Sequence, residues 1–448
     1  MQKEKELKHF LTPKINISTI KEKGEKKIVS IITPSYYADC SDLMMKGGEF
    51  YAVLDRSTNM WITDEVKLFR MIDDELYSYR DEIGKVDGFG IYRDSNGLEI
   101  KVNSVCDFTN RELIYLRTYL KNLPKNFNYK QLDDVVTYID EKVTWSEYRS
   151  KRLKYDILKG DTKAYDEIMT TLYDEEEKTK IEWAIGSVLA KDNDKMEKLV
   201  AIYGKPGSGK STVIDLILKI FEGYTTVFVA SDLASKSNQF ATEYFRNNPL
   251  VAIQDDGSLE RIDSPIINEI VSHKTIAINE KGVKKYSLTP KCVLFMATND
   301  LIDIHDIGKG ISRRLLDVYP SGRKLPVDKY FSLVSQLDYE IGAIAYKCLH
   351  TYRDMGLSYY LKYKPMSMIE KTNYIHQFMF DEYDKISSYQ YLTRNDLYKW
   401  YKEYCEESHY LYYDKRDRFF EQIKEYFNES YDIKKNRRKD IQTCIRWF

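Results

Sequence analysis

The sequence predicts an α/β fold, a mostly parallel sheet covered by helices, for the central region of a chain of 448 residues. Between Glu197 and Pro320, short apolar runs bounded by turn residues alternate with helical stretches, as in parallel α/β units. A glycine-rich loop, Gly204–Ser211, separates an apolar strand candidate from an amphipathic helix candidate. Two later apolar runs end in polar side chains. Together these observations predict an α/β domain built around a phosphate-binding loop.

The same patterns divide the chain into four regions. Residues 1–105 are predicted to form a small mixed accessory domain, and residues 106–190 a helical region. Residues 191–325 form the predicted α/β core, and residues 326–448 a helical C-terminal domain with a basic tail. We therefore expect the core to be flanked by helices on both sides.

The C-terminal region contains a predicted helix with a recognisable N-terminal cap. Thr393–Asp396 (TRND) resembles a capping box and predicts a helix over Leu397–Glu406. The strand-like tail carries Lys434, Lys435, Arg437, Arg438, Lys439 and Arg446. Two helices followed by a basic strand suggest a winged helix. Contact of the tail with DNA, contact with a partner protein and a solvated strand are three open alternatives.

Composition narrows the class of protein. No run approaches the roughly 18 apolar residues that a membrane span needs, and the charged first residues lack the apolar core of a secretory signal. None of the 6 cysteines forms a CxxC pair, so neither a zinc site nor a disulfide framework is indicated. These features favour a cytoplasmic protein with no membrane partner. The net charge of −1 means that nucleic acid would be bound through local basic patches.

The strongest motif is the loop that fits GxxxxGK[ST]. Its glycines let backbone N–H groups turn toward phosphate oxygens, and the following helix adds positive charge at its N-terminus. Lys210 is expected to reach the β- and γ-phosphates, and Ser211 to bind Mg²⁺. An ordinary glycine-rich turn is the alternative. The predicted nucleotide-binding residues are Gly204, Lys205, Pro206, Gly207, Ser208, Gly209, Lys210, Ser211 and Thr212.

A second apolar run supplies the acids that hydrolysis needs. Pro249–Asp256 ends in two carboxylates, one to hold Mg²⁺ through its water shell and the other to polarise the attacking water. Ser211 and Asp255 form the predicted metal pair. The residues alone leave open an exchange of roles between Asp255 and Asp256, and a plain loop entry is the alternative for both.

One asparagine and two arginines complete the predicted catalytic set. The run Lys291–Asn299 ends in Asn299, which is placed to sense the γ-phosphate or hold the water, unless it only caps a strand. Arg313 and Arg314 precede the apolar run Leu315–Val318. Arginine stabilises charge on a transferring phosphoryl group and often comes from a neighbouring subunit. Which of the two is the finger, and whether either only forms surface salt bridges, is open.

The ordered set of motifs resembles the superfamily 3 helicases of DNA viruses, phages and plasmids, above all phage and poxvirus primase-helicases. The resemblance covers about Ile181 to Pro320 and rests on IEWAIGSVLA before the loop, the loop itself, Asp255–Asp256, IAINEKGVKKY, ATN at 297–299 and SRR at 312–314. It implies an AAA+-like P-loop NTPase core that uses ATP and Mg²⁺. It also implies a hexameric ring with ATP between subunits, a helical collar over residues 106–190, and 3′ to 5′ movement on an encircled single strand of DNA.

The segment Ile276–Leu288 alternates apolar and polar residues around Glu280-Lys281-Gly282, which predicts a β-hairpin. Its tip and second arm carry Lys281, Lys284 and Lys285, and the resemblance implies that such a hairpin grips DNA phosphates in the ring pore. His273 and Lys274 precede it and are expected to assist. A solvated hairpin with ordinary lysines is the alternative.

The sequence also departs from its relatives. It has no HxH nickase pair and no convincing pair of Asp residues at DxD spacing for a primase. Residues 1–105 are therefore expected to be a docking module, with priming left to a partner protein. A nucleotide-switched initiator or loading factor is the second hypothesis, since it would use the same residues. A packaging motor and a small-molecule kinase fit less well, and the preference for ATP over other nucleotides is open.

Overall fold

The structure is a computed structural model of the chain. It describes residues 11–22, 25–36, 44–47, 50–55, 57–64, 66–67, 70, 91–93, 99–101, 104–105, 131–235, 238–257, 264–282, 285–299, 313–365, 368, 372–389, 392–408, 410, 413–426, 432–434 and 444–446. By internal contacts the chain forms two units, one of residues 1–134 and 141–151 and one of residues 135–140 and 152–448. In the part of the chain that the structure describes, no helix is both long and apolar enough to cross a membrane.

The described part of the first unit contains β-sheets of two or three strands. Its strands are β1 (Leu11–Glu22), β2 (Glu25–Tyr36), β3 (Met44–Gly47), β4 (Phe50–Asp55), β5 (Met60–Ile62), β6 (Ile91–Arg93), β7 (Glu99–Lys101) and β8 (Ser104–Val105). They form the sheets β1-β2-β8, β3-β4-β5 and β6-β7.

The core of this unit is built around Trp61. Trp61 is buried with Leu54 and Leu132, and its indole N–H donates a 2.8 Å hydrogen bond to the carbonyl oxygen of Trp145. Its ring also stacks on Tyr148 at 5.8 Å. Parts of the region expected to be a helical collar thus complete a β-rich unit. Residues 131–162 are irregular apart from the 3-10 turn Trp145–Glu147, so the described helices of the 106–190 region begin only at Lys163.

The second unit contains the α/β core and the C-terminal elements. Its strands are β9 (Leu199–Tyr203), β10 (Thr225–Val227), β11 (Val251–Gln254), β12 (Ile276–Ile278), β13 (Tyr286–Leu288), β14 (Val293–Thr298), β15 (Leu315–Val318), β16 (Leu392–Thr393), β17 (Asp432–Lys434) and β18 (Cys444–Arg446). The described helices are α1 (Lys163–Leu172), α2 (Glu175–Leu189), α3 (Lys210–Ile220), α4 (Ala230–Ala234), α5 (Pro265–Val271), α6 (Val327–Met355), α7 (Tyr374–Asp381), α8 (Tyr383–Ser387), α9 (Arg394–Glu407) and α10 (Arg416–Tyr426). A short 3-10 helix spans Ala241–Phe245.

The central sheet has five strands in the order β10-β11-β14-β9-β15, and all of its neighbouring strands are parallel. Strands β11, β14 and β15 are buried along their whole length, which explains why most of their residues are apolar. The predicted α/β core with a mostly parallel sheet is confirmed. Because β14 lies between β9 and β11, the carboxyl ends of these three strands are adjacent at one edge of the sheet.

Helices α2 and α6 cross in close contact beside this sheet. A Cβ atom on Gly186 of α2 would lie 2.1 Å from the carbonyl oxygen of Cys348 in α6, so only glycine permits this approach. Leu337 and Ile344 of α6 belong to the same buried cluster as Val200 of β9. The predicted division at residues 325/326 therefore falls inside one packed unit, because α6 covers the α/β core.

The C-terminal elements have a core of their own, centred on Phe378, Tyr401 and Phe419. The capped helix is confirmed as α9, and the Thr393 hydroxyl accepts the Asp396 N–H at 3.1 Å. Strands β16, β18 and β17 form an antiparallel sheet in that order, with α9 and α10 between β16 and β17 in sequence. Most of the basic tail, residues 435–443, lies outside the described residues.

Candidate nucleotide and metal site

The glycine-rich loop curves around a centre that holds the ammonium group of Lys210. Gly207 and Gly209 have φ angles of 72° and 97°, values that side-chain-bearing residues rarely adopt. A Cβ on Gly209 would also lie 2.6 Å from Cδ1 of Leu172, at the end of α1. The buried Oγ of Ser208 has no hydrogen-bond partner among the described residues. Helix α3 starts at Lys210, so its first N–H groups have no partner within the helix.

Lys210 is held at this centre by oxygen atoms of the loop. Its Nζ donates to the carbonyl oxygens of Gly204 at 2.7 Å and Lys205 at 3.1 Å. It also donates to Oδ1 of Asn299 at 2.8 Å. The side chain is buried, and phosphate oxygens are stronger partners for an ammonium group than carbonyl oxygens. Lys210 is therefore poised to exchange these contacts for phosphate.

The two predicted carboxylates lie in a tight turn after β11. The Gly257 N–H donates to the carbonyl oxygen of Ala297 at 3.1 Å, which ties this turn to β14. Asp256 has a φ angle of 49°, and both Asp255 and Asp256 are exposed. The side chain of the buried Gln254 accepts the Ala230 N–H at 2.7 Å and anchors the base of the turn.

The two carboxylates have different partners. The Ser211 hydroxyl donates to Oδ1 of Asp255 at 3.2 Å, and the Asn299 amide donates to Asp256. Since Asn299 also accepts from Lys210, a continuous chain of contacts joins the loop, β14 and the second carboxylate. The structure thus brings together Lys210, Ser211, Asp255, Asp256 and Asn299 at one edge of the sheet.

A third carboxylate near this site was missed by sequence reasoning. Asp215 lies one helical turn after Ser211 on α3. Burial, and then the charge of Asp255, raise the pKa of Asp215 above its ordinary value. The spacing of four residues from Ser211 was the available signal, because residues four apart share a helix face.

The residues present fit a nucleoside triphosphate with Mg²⁺. The loop offers the unpartnered Ser208 hydroxyl and free helix N–H groups to phosphate, and Ser211 and Asp255 present two oxygen ligands side by side. No group of three or more His, Cys, Asp or Glu side chains that could hold a metal occurs among the described residues. A pair of protein oxygens completed by phosphate and water is the usual arrangement for Mg²⁺ at phosphate sites.

The two arginines before β15 have different surroundings. Arg313 is exposed, whereas Arg314 is only 7% exposed and its guanidinium lies 3.4 Å from Oδ1 of Asn268. The buried Lys198 ammonium donates to the Arg313 carbonyl oxygen at 2.6 Å and so holds the backbone there. Burial, and then the charge of Arg314, lower the pKa of Lys198 to about 8. Arg313 is thus the arginine whose side chain is available to another molecule.

The predicted hairpin is present as β12 and β13, which pair antiparallel with Ile276 opposite Leu288. Its turn is anchored by the buried Glu280, which accepts a 2.6 Å hydrogen bond from the Tyr286 hydroxyl. Lys281 and Lys285 are exposed. Lys284, the third predicted DNA contact, lies outside the described residues.

The ring of His273, which is expected to assist the hairpin lysines, makes its contacts with backbone carbonyl oxygens. The two ring nitrogens of His273 lie 3.1 Å from the carbonyl oxygen of Pro290 and 3.2 Å from that of Met196. The imidazole therefore ties the base of the hairpin to the preceding chain. Lys274, next to it, is exposed.

Comparisons with known proteins find one matching family and solved structures of low sequence identity. A family described as of unknown function (DUF5906) matches residues 202–314, about a quarter of the chain, which include the loop, both carboxylates, the hairpin and Asn299. A search of the curated proteins finds no match. Two structures of the C-terminal region of NrS-1 are 13% and 14% identical, each with a TM-score of 0.43. They cover 80% and 81% of this chain, and the matches span 96% and 97% of those chains. A candidate ATPase of Cytophaga hutchinsonii is 13% identical with a TM-score of 0.23, covering 51% of this chain and 72% of that one. TM-scores this low do not establish a shared fold.

Proposed function

We propose that this chain hydrolyses a nucleoside triphosphate, with ATP as the reference substrate, and uses the energy to move along DNA as a ring-shaped helicase. The observation that carries the proposal is the meeting of a phosphate loop, two carboxylates and an asparagine at one edge of a parallel sheet. These groups supply what phosphoryl transfer to water requires, which is charge compensation, a metal ligand and a partner for the attacking water.

The contacts favour one division of roles between the carboxylates. Asp255 lies beside Ser211, so these two side chains would hold Mg²⁺, which neutralises charge on the phosphates when it is bound. Asp256 contacts Asn299, so this pair would orient the attacking water and accept its proton. Lys210 would compensate the charge of the β- and γ-phosphates after leaving the loop carbonyl oxygens.

The strand order supports an AAA+-like core of the superfamily 3 type. The strand ending in Asn299 lies between the loop strand β9 and the acid strand β11, so the asparagine reaches both Lys210 and Asp256. The hairpin stands between the acid strand and β14 in sequence, as in the resemblance described above. The exposed side chains of Lys281 and Lys285 would then contact the backbone of single-stranded DNA, independently of sequence.

The exposure of Arg313 supports ring assembly. Arg313 is exposed, and an exposed arginine beside an NTPase core can complete the site of a neighbouring subunit. We assign the finger to Arg313 and a structural role to Arg314, which is buried within its own subunit. A homo-oligomer, with a hexamer as the expected form, places one such arginine at every interface.

The C-terminal elements are proposed to be a winged helix that helps to bind DNA. The succession β16, α9, α10, β17, β18, with β18 between the other two strands, supports this assignment. Residues 1–105 are proposed to dock a partner such as a separate primase.

The test is hydrolysis of ATP with and without single-stranded DNA, together with unwinding of a forked duplex. Lys210→Ala removes the central ammonium group, and Lys159→Ala removes an exposed lysine before α1 as the matched control. We expect several-fold stimulation by DNA and strand separation, both lost in Lys210→Ala and retained in Lys159→Ala. Hydrolysis that ignores DNA and opens no duplex would refute the helicase and favour the nucleotide-switched loading factor.

A further inference from the structure

A cavity of about 360 Å³ adjoins the glycine-rich loop on the side of α6. We call it the α6 cavity and define it by Leu172, Gly209, Leu325, Val327, Tyr330 and Phe331. Lys210, Ser211 and Thr212 also line it, so it is continuous with the proposed phosphate site. Its volume lies in the range of pockets that bury small ligands, roughly 300–1,000 Å³.

The walls of the α6 cavity are held by specific contacts. On one side, the end of α1 is fixed to the loop, because the Tyr173 hydroxyl donates to the Gly209 carbonyl oxygen at 3.2 Å. The segment before α6 is fixed to α1, since Arg323 donates to the Thr171 carbonyl oxygen at 3.0 Å and pairs with Asp174 at 2.9 Å. The cavity is therefore a formed cleft between α1, the loop and α6.

The chemistry of the walls changes with distance from the loop. Beyond the loop, the cavity is lined by aliphatic side chains and by two aromatic rings, Tyr330 and Phe331, whose centroids are 5.6 Å apart. Phe331 and Val327 are 66% and 68% exposed, an unfavourable position for apolar groups unless a ligand or a partner covers them. A flat, apolar and aromatic ligand attached to a phosphate chain matches both halves of the site. A nucleobase has this character, and bases stack well on aromatic side chains.

Few side chains of the α6 cavity could read the edge of a base. The hydroxyls of Thr212 and Tyr330 lie 2.8 Å apart and bond to each other, and Lys324 is exposed. A site that selects through hydrogen bonds rejects a wrong ligand by about 10⁴-fold or more, whereas an apolar pocket rejects one of similar size weakly. The lining therefore favours tolerance of different purine bases.

Resting on the proposed function, we propose that the α6 cavity is the nucleobase subsite, that Phe331 is its stacking residue, and that it accepts adenine and guanine nucleotides with little discrimination. The loop then supplies most of the affinity through the phosphates, and α6 adds affinity through the base. The substrate class is purine nucleoside triphosphates rather than ATP alone.

The experiment compares binding of ADP, GDP and inorganic tripolyphosphate, each with Mg²⁺, by calorimetric titration of the full chain. The variants are Phe331→Ala, Lys210→Ala and, as matched control, Tyr339→Ala, which removes a 92% exposed aromatic ring from the same helix. In the wild type, ADP and GDP should bind within about tenfold of each other. Phe331→Ala should weaken both by about tenfold and leave tripolyphosphate unchanged. Lys210→Ala should weaken all three, and Tyr339→Ala none.

Several outcomes would overturn the subsite. They are unchanged ADP affinity in Phe331→Ala, an equal loss for tripolyphosphate, or a preference for one purine above about 100-fold. Unchanged ADP affinity with weaker self-association in sedimentation would instead assign Phe331 to a subunit contact. If Lys210→Ala still abolished tripolyphosphate binding in these cases, the phosphate site would stand without the base subsite. Failure of all three ligands to bind the wild type would overturn both proposals.

Discussion

Arg313→Ala and Arg314→Ala are expected to fail in different ways, although the two residues are neighbours. Arg314 is 7% exposed and contacts Asn268, so its removal takes away buried packing and a polar contact. We expect Arg314→Ala to lower the free energy of unfolding by about 1–3 kcal/mol. Arg313 is exposed, so Arg313→Ala should change that free energy by less than about 0.5 kcal/mol. Its effect should be on hydrolysis, which should fall about 10³-fold or more.

Mixing two inactive variants tests whether Arg313 acts in the site of a neighbour. A subunit with Lys210→Ala lacks a working loop but keeps Arg313, and a subunit with Arg313→Ala has the reverse defect. In rings assembled from equal amounts of both, about a quarter of the interfaces would combine an intact loop with an intact arginine. DNA-stimulated hydrolysis should therefore recover to about a quarter of the wild-type rate per site, with phosphate release as the assay.

Three results would contradict the roles assigned to Arg313 and Arg314. If the mixture stays as inactive as its components while sedimentation shows mixed oligomers, Arg313 does not act across an interface. If Arg313→Ala alone lowers the melting temperature as much as Arg314→Ala, the different burial of the two side chains has no energetic consequence. A normal hydrolysis rate in Arg313→Ala would remove the finger from the proposal altogether.

The remaining predictions concern the acids, the hairpin and a buried lysine. Asp255→Asn should raise the Mg²⁺ concentration needed for nucleotide binding, whereas Asp256→Asn should keep binding and lose turnover; identical Mg²⁺ titrations would contradict this division. Replacing Lys281 and Lys285 with alanine should weaken the salt dependence of binding to single-stranded DNA, measured by anisotropy. The negative slope of log affinity against log salt should decrease in magnitude by about 1.4, and an unchanged slope would exclude phosphate contacts. Because burial lowers the pKa of Lys198 from 10.5 to about 8, the unfolded chain binds more protons between these pH values. The free energy of unfolding of the wild type should therefore rise relative to that of Lys198→Met as the pH rises through this window. If denaturant titrations give a difference between the two proteins that does not change with pH, the lowered pKa of Lys198 is contradicted.

Several parts of the site could be predicted because they depend on neighbours in sequence. The loop needs only glycines at positive φ angles followed by a helix start, and both requirements are written into consecutive residues such as Gly207, Gly209 and Lys210. The hairpin over Ile276–Leu288 follows from alternation of apolar and polar residues. The capped helix after Thr393 follows from its side-chain oxygen, which can satisfy a free N–H group.

Other features could not be predicted because they depend on residues distant in sequence. Nothing in the apolar runs themselves says that β14 lies between β9 and β11, and the contacts of Asn299 depend on that order. The continuation of the core into α6 depends on the close approach of Gly186 to Cys348, two residues far apart in the chain. For the same reason His273, which looks available beside the lysines, is occupied by two carbonyl oxygens.

The sequence alone therefore predicted a glycine-rich loop at a strand–helix junction, two further polar strand ends and a lysine-bearing hairpin. These are consequences of backbone preference and of periodicity over a few residues. The tertiary structure alone decided which carboxylate faces Ser211, which arginine is buried, and that a cavity against α6 adjoins the loop. Each of these depends on strand order and on helix packing, where burial and contact are properties of the assembled core and not of any one segment.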